Sequence, residues 1–260
     1  MKDIVVSIKN LTVSVGQDKH KKHLVSDVSL DIPKEEIVAL VGESGSGKTT
    51  TGLSIGRLLS PALTIEKGSI IFDGQDLLSV DDQTIQRMRG KDIGFVFQDP
   101  LQAFNPLFTI GFQIEEVLKY HTDLNRQERQ KQILHLLDTV EIADPQRISK
   151  SYPHQLSGGM RQRAMIAQAI AGNPKLIIAD EPTSSLDVTI QAKIVELFKE
   201  LNRTLKLSIL LITHDLGLVR HLSNEVVVMK EGKVVEAGHT KAVLTEPKHH
   251  YTRELLEAAV

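Results

Sequence analysis

The chain contains no cysteine and no tryptophan among its 260 residues, and aromatic side chains make up 4% of it. Without cysteine there is no disulfide, no thiolate zinc site, no cysteine-ligated iron–sulfur cluster and no thiol nucleophile, and a reducing compartment is compatible with that. Excess charge is missing too: 31 Lys and Arg against 33 Asp and Glu leave a formal net charge of −2. With no long basic block, nothing electrostatic points to nucleic acid as the main partner. The cluster Lys19-His20-Lys21-Lys22-His23 is a local cationic knot and reads as a solvated loop. Long hydrophobic runs are absent as well, none approaching the ~20 residues that span a bilayer. The opening Met1-Lys2-Asp3-Ile4-Val5-Val6 is interrupted too soon to read as a signal peptide. The expectation is a chain that stays in the cytosol, whatever it docks onto. What remains is 41% hydrophobic and 25% charged residues, enough for a sizeable core in one large domain or one domain with an insertion.

Periodicity gives the fold class. In residues 11–15, Leu11, Val13 and Val15 alternate with Thr12 and Ser14, the period of a strand with one wet face, and an antiparallel N-terminal sheet is expected. Residues 37–41, 176–179 and 209–212 are continuously apolar instead, as in parallel strands covered on both faces. Between them lie helical patterns, clearest over 189–205, where Ile190, Ile194, Leu197, Leu201 and Leu205 recur at three- and four-residue steps. Strands alternating with helices predict an α/β fold. From 98 to about 170 there are helical patterns (113–121, 126–140, 159–171) and no convincing strand, which reads as a helical insertion. Segments 225–229 and 233–236, joined by Lys230-Glu231-Gly232, predict a closing hairpin.

The chemistry begins at Gly42-Glu43-Ser44-Gly45-Ser46-Gly47-Lys48-Thr49, which follows an apolar strand and opens a helical pattern. Glycines at 42, 45 and 47 permit backbone angles that turn successive N–H groups inward on a polyphosphate at a helix N-terminus. In such a loop the lysine, here Lys48, reaches the β/γ-phosphates, and the hydroxyl of Thr49 ligates Mg²⁺. A second constellation, Leu176-Ile177-Ile178-Ala179-Asp180-Glu181, is a buried strand ending in two acids. Such acids commonly cap the next helix. Beside a phosphate loop, Asp180 fits a Mg²⁺ acid and Glu181 a residue that orients or deprotonates the attacking water.

The third constellation, Leu156-Ser157-Gly158-Gly159-Met160-Arg161-Gln162-Arg163, resembles the signature of ATP-binding-cassette ATPases. The rest of that family's set follows in order. Gln98 after the strand at 93–97 resembles its Q-loop glutamine, Ser185-Leu186-Asp187 its D-loop, and His214 after residues 209–213 its switch histidine. Physically the signature is a second anion site: Ser157 serves as helix cap and hydroxyl donor, and Gly158 and Gly159 expose N–H groups at the positive end of a helix.

The resemblance implies a P-loop NTPase (RecA-like) core with an antiparallel β-subdomain and an inserted α-helical subdomain. It implies one cassette over 1–260, with its core at 1–97 and 172–260 and the helical part at 98–171. Nucleotide contacts are expected from Gly42, Glu43, Ser44, Gly45, Ser46, Gly47, Lys48, Thr49 and Thr50. They are also expected, on the nucleotide of a partner subunit, from Ser157, Gly158, Gly159, Met160 and Asp187. Mg²⁺ falls to Thr49, Gln98 and Asp180, and catalysis to Glu181, His214 and Gln98. The expected assembly sandwiches two ATP molecules between this chain and a second, similar ATPase. Two membrane-spanning permeases complete it on the cytoplasmic face of the inner membrane, with an extracytoplasmic receptor contributing indirectly and no nucleic acid.

Finer features resemble the ATPases of bacterial di- and oligopeptide and nickel importers: Phe97-Gln98-Asp99-Pro100 with Asn105-Pro106, the Met160-Arg161-Gln162-Arg163 ending, and His249-His250-Tyr251-Thr252-Arg253. Residues 99–108, rich in apolar residues and proline, are expected to receive the permeases. The histidine pair reads as part of the family element rather than a metal site. Many peptide-importer ATPases continue further and carry cysteines, so the end at Val260 tilts the expectation toward nickel or a metal chelate. Ahead of the phosphate loop the family usually stacks an aromatic on adenine, yet the first aromatic here is Phe72, leaving Val15, His20 or His23 for that place. The rivals are a soluble cassette ATPase acting on nucleic acid or ribosomes, which usually carries two cassettes, zinc cysteines or a basic arm, and a degenerate scaffold, which Glu181 and His214 argue against.

Overall fold

A computed structural model describes residues 2–16, 21–184 and 186–258, so the expectations for His20 and Ser185 lie outside the described residues. The first elements are β1 (Ile4–Val15), β2 (Lys22–Pro33), β3 (Ile37–Val41), α1 (Lys48–Ile55), β4 (Leu63–Phe72), β5 (Gln75–Asp76) and α2 (Asp82–Met88). Then come β6 (Ile93–Val96), α3 (Pro100–Ala103), α4 (Ile110–His121), α5 (Arg126–Thr139), α6 (Pro145–Ser149), α7 (Gly158–Ile170) and β7 (Leu176–Asp180). The rest are α8 (Val188–Leu205), β8 (Ser208–Thr213), α9 (Leu216–Leu222), β9 (Glu225–Lys230), β10 (Lys233–His239), α10 (Thr240–Thr245) and α11 (His250–Ala258). They fall into two units, one of residues 1–85 with 201–260 and one of residues 86–200.

The first unit contains an antiparallel four-stranded sheet in the order β2-β1-β4-β5. The wet face expected of β1 is not wet: Thr12 is 3% and Ser14 2% exposed. Both hydroxyls are satisfied from neighbouring strands, Thr12 accepting the N–H of Asp27 and Ser14 donating to the Glu66 carboxylate. Hydroxyl residues therefore tile a buried face without orphaned polar atoms.

The same unit contains β3, flanked by β8 and β9 in parallel register, with β9 and β10 forming the predicted antiparallel hairpin. Every residue of β3 and β8 is buried, which is why both read as unbroken apolar runs. Ala39, Val41, Val226 and Val228 pack with Leu216 and Val219 of α9, Val243 and Leu244 of α10, and Tyr251 of α11. Burial of each such aliphatic side chain contributes about 1.5–3 kcal/mol, and together they hold the carboxyl end of β3 in place.

The second unit pairs β6 with β7 in parallel, Ile93 opposite Leu176 and Val96 opposite Ala179. Between those strands in the chain lie only helices among the described residues, each started by its own cap. Thr109 caps α4, Asn125 and Glu128 form a reciprocal capping box on α5, and Ser157 caps α7. Helix α7 buries Ala164, Met165, Ile166 and Ala167; its buried Arg163 is compensated by the Val140 carbonyl at 2.6 Å and the Glu141 carboxylate at 2.9 Å. Helix α8 follows the predicted stripe, with Ile194, Leu197 and Leu201 buried, while Leu205 at its end is 39% exposed.

Candidate functional site

The loop from β3 to α1 is shaped by what cannot be placed there. At Gly42, φ is +149° and a Cβ would stand 2.2 Å from the Met229 carbonyl oxygen, so only glycine fits where the chain leaves the strand. Gly47 caps α1 with left-handed geometry and no side-chain hydrogen bond, and no acid stands in the first turn. The positive end of the helix is thus left for an anion. Lys48 is 5% exposed, its ammonium folded back to donate to the carbonyls of Gly42 and Glu43 at 2.8 Å each. Glu43, Ser44, Gly45 and Thr49 lie on the open side of this turn, with Ser46 buried beneath it.

His214 joins this loop through strand register. Val41 pairs with Thr213, so the residue after β8 emerges at the level of Gly42. Asp215 then caps α9, accepting the N–H groups of Gly217 and Leu218 at 2.8 and 3.1 Å, which fixes the turn that exposes His214.

In the second unit, parallel register sets Gln98 beside Glu181: Nε2 of one is 3.5 Å from Oε2 of the other. Asp180, 9% exposed, closes β7. Glu181 has a left-handed φ of +44°, a conformation costly for a side-chain-bearing residue and enriched at functional turns. The N–H and hydroxyl of Ser184 both donate to the Glu181 carbonyl, at 3.2 and 3.1 Å, and lock that turn.

The signature segment starts α7. The Ser157 hydroxyl accepts the N–H of Met160 at 3.3 Å, the capping geometry expected of it. A Cβ on Gly159 would stand 2.8 Å from Cγ2 of Ile190, so this glycine lets the helix start approach α8. Asp187 does the work of a cap too, accepting the Ile190 N–H at 3.0 Å.

Two participants escape sequence reasoning. Gln113, 5% exposed, accepts the Asn105 N–H at 2.9 Å and donates to the carbonyls of Asn105 and Phe108 at 3.0 Å. It fixes the loop that displays Leu107 at 78% and Phe108 at 41% exposure. A glutamine on the inner side of a helical pattern was the available signal. The other is Tyr251, whose hydroxyl meets the phosphate loop.

The sequence profile of the ABC transporter family matches residues 25–184. The chain belongs to that family. It is accordingly an ATPase of the ATP-binding-cassette class, and its α/β P-loop fold is the one expected from the sequence. The chain is 48% identical over 255 residues to the peptidoglycan transport ATP-binding protein YejF of Agrobacterium fabrum, which covers 98% of this chain but 47% of that protein. It thus spans about half the length of that curated relative. Against the dipeptide transport ATP-binding protein DppD of Bacillus subtilis it is 46% identical over 253 residues, or 97% of this chain and 76% of that protein. A dimeric ATP-binding cassette, MJ0796, solved in a post-hydrolysis state with ADP and Pi, superposes with a TM-score of 0.80 at 33% identity, covering 90% of this chain and 98% of that one. CbiO1 of Clostridium perfringens, part of an ABC transporter complex, gives 0.80 at 26% identity, over 94% of this chain and 92% of that one.

Proposed function

We propose that this protein is the ATP-binding and ATP-hydrolysing subunit of a bacterial importer, held on the cytoplasmic face of the cell membrane and powering uptake of peptides. The observation that carries this reading is the loop at 42–49, wrapped around the Lys48 ammonium ahead of an uncapped helix start, in a chain that is 46% identical to a dipeptide transport ATP-binding protein.

In this reading the first-turn amides of α1, through Thr49 and Thr50, bind the β- and γ-phosphates with Lys48. Glu181 orients the attacking water and accepts its proton, Gln98 senses the γ-phosphate, and His214 stabilises the charge that develops there. Thr49, Gln98 and Asp180 offer only oxygen donors, a set that fits a hard cation such as Mg²⁺. Bound there, the ion would neutralise charge on the transferring phosphoryl group.

Ser157, Gly158, Gly159, Met160 and Asp187 are assigned to the nucleotide of a second ATPase subunit, similar rather than identical, so that ATP draws the two together and hydrolysis releases them. The division into a core of 1–97 and 172–260 and a helical part of 98–171 belongs to the same proposal. Two permeases complete the assembly. Leu101, Leu107, Phe108 and Phe112, all more than 40% exposed, form the apolar surface proposed to receive them, beside an open cleft of ≈ 900 Å³ lined in part by Phe112, Tyr120 and Arg129. Peptide cargo is favoured over chelated nickel because the relatives described above are transporters of peptides or peptidoglycan by name.

The test is reconstitution. Permeases that co-purify with the chain are placed in proteoliposomes with their receptor, and ATP hydrolysis is measured with dipeptide-loaded and nickel-chelate-loaded receptor. Stimulation by the peptide-loaded receptor is expected. Stimulation by nickel chelate alone would correct the cargo, and retention on nucleic acid at physiological salt in place of membranes would overturn the role.

A further inference from the structure

The N–H of Glu43, on the first shoulder of the phosphate loop, donates to the hydroxyl oxygen of Tyr251 at 3.0 Å, across 208 positions of chain. Tyr251 is 2% exposed in the first turn of α11, its ring packed with Val41, Leu216 and Val228 and its face covered by the Lys230 ammonium 4.4 Å from the centroid. The helix that carries it is fastened at its own start. Glu236 of β10 accepts the N–H groups of Lys248 and His249 at 2.8 and 3.0 Å, and Arg253 donates back to the carbonyls of Pro247 and Lys248 at 3.1 and 3.2 Å.

The second shoulder is tied as well, the N–H of Gly232 in the β9–β10 turn donating to the Ser46 carbonyl at 3.0 Å. Between the two shoulders, a Cβ built on Gly45 would meet nothing within 4 Å. The crest of the loop is open and its flanks are held. Burial pushes the Tyr251 hydroxyl above its ordinary pKa, with the Glu43 amide pulling the other way, so the phenol stays protonated at neutral pH.

We propose that Tyr251 is a positioning residue for nucleotide binding: its hydroxyl holds the Glu43 amide, so that α11 fixes the shape of the phosphate cradle before a triphosphate arrives. This inference rests on the reading of residues 42–49 as the ATP site. A preorganised loop binds without the cost of ordering it, and the hydroxyl is the only part of Tyr251 the mechanism needs.

Tyr251→Phe in the full chain keeps the ring and deletes the bond. Mg-ATP affinity is expected to fall about three- to tenfold, the net worth of one neutral hydrogen bond, with KM rising and kcat at saturation little changed. Amide exchange at Glu43 should accelerate while β3 stays protected. Unchanged affinity overturns the proposal, and so does a loss of affinity accompanied by uniform loss of protection through β3, which is mere destabilisation. If that variant does not fold, Glu236→Gln, which weakens the seat of α11, should shift affinity and Glu43 exchange in the same direction, and no shift overturns the proposal. Lys48→Ala runs beside both. Should it bind Mg-ATP normally, the site reading itself fails; should it lose ATP while Tyr251→Phe does not, only the role of Tyr251 fails.

Discussion

The side-chain amide of Gln98 stands 3.5 Å from the carboxylate of Glu181 because each residue follows one strand of a single parallel pair, β6 and β7. The loop beginning at Gln98 thus starts in contact with the acid proposed to handle water. That loop runs on into the exposed apolar residues proposed to meet the permeases, so the contact offers a short mechanical route from transport to hydrolysis.

Replacing Glu181 with Gln keeps the size and the contact to Gln98 but removes the base. Steady-state phosphate release should drop by about 10²–10⁴-fold, and a complex trapped with ATP should accumulate on size exclusion. Undiminished turnover would remove Glu181 from the mechanism.

Lys48→Ala deletes an ammonium that is already dehydrated and aimed. Charge-assisted contacts are worth about 1.5–3 kcal/mol each, so Mg-ATP affinity measured calorimetrically should weaken by about tenfold to more than a hundredfold. The far-ultraviolet spectrum should be unchanged.

Two glycines of one loop should differ in their response to alanine. At Gly42 the added methyl meets the Met229 carbonyl at 2.2 Å, whereas at Gly45, with φ +80°, it meets nothing within 4 Å. Gly45→Ala should cost about 1–2 kcal/mol of backbone strain and Gly42→Ala clearly more, read as the order of their thermal midpoints. A reversed order would contradict the loop geometry.

Ser157 has a capping task and a proposed anion-binding task, and they can be separated. Ser157→Ala should lower stability by about 1 kcal/mol through loss of the cap. Ser157→Asp retains capping ability, so its melting point should hold, yet a carboxylate facing phosphate should abolish cooperative ATP hydrolysis. Normal hydrolysis by the aspartate variant would leave Ser157 a cap and nothing more.

Glu236 links pH to the seating of α11. Partial burial raises its pKa, but the N–H groups of Lys248 and His249 that its carboxylate accepts outweigh that and leave it below the ordinary 4.5. A carboxylate held low in the folded state contributes stability that is present above its unfolded pKa and lost as pH falls through the folded one. Thermal midpoints should therefore decline on acidification below about pH 4.5, and Glu236→Gln should flatten that decline. A decline of equal steepness in the variant would assign it to other acids.

Strands β3, β7 and β8 were legible because burial on both faces leaves an unbroken apolar run, and α8 because its stripe repeats at helical steps. Less legible was β1, where Thr12 and Ser14 look solvent-facing in sequence but are satisfied by Asp27 and Glu66, residues far off in the chain. Strand β2 carries a two-residue period only in its second half, Val28, Leu30 and Ile32 buried against exposed Ser29 and Asp31, and bulged pairing breaks the pattern of its first half and of β4. At the site, residue types announced the phosphate loop, the acids and the signature. Distance-dependent facts stayed hidden: the capping by Asp187, the loop held by Gln113, and the phenol of Tyr251 against Glu43.

The left-handed backbone at Glu181 sets a lasting tension within this chain. Glycine or asparagine would sit there more comfortably, so a screen that rewards only heat resistance should drift toward replacing the acid proposed to handle water. Engineers hardening this cassette should therefore leave residue 181 out of their libraries.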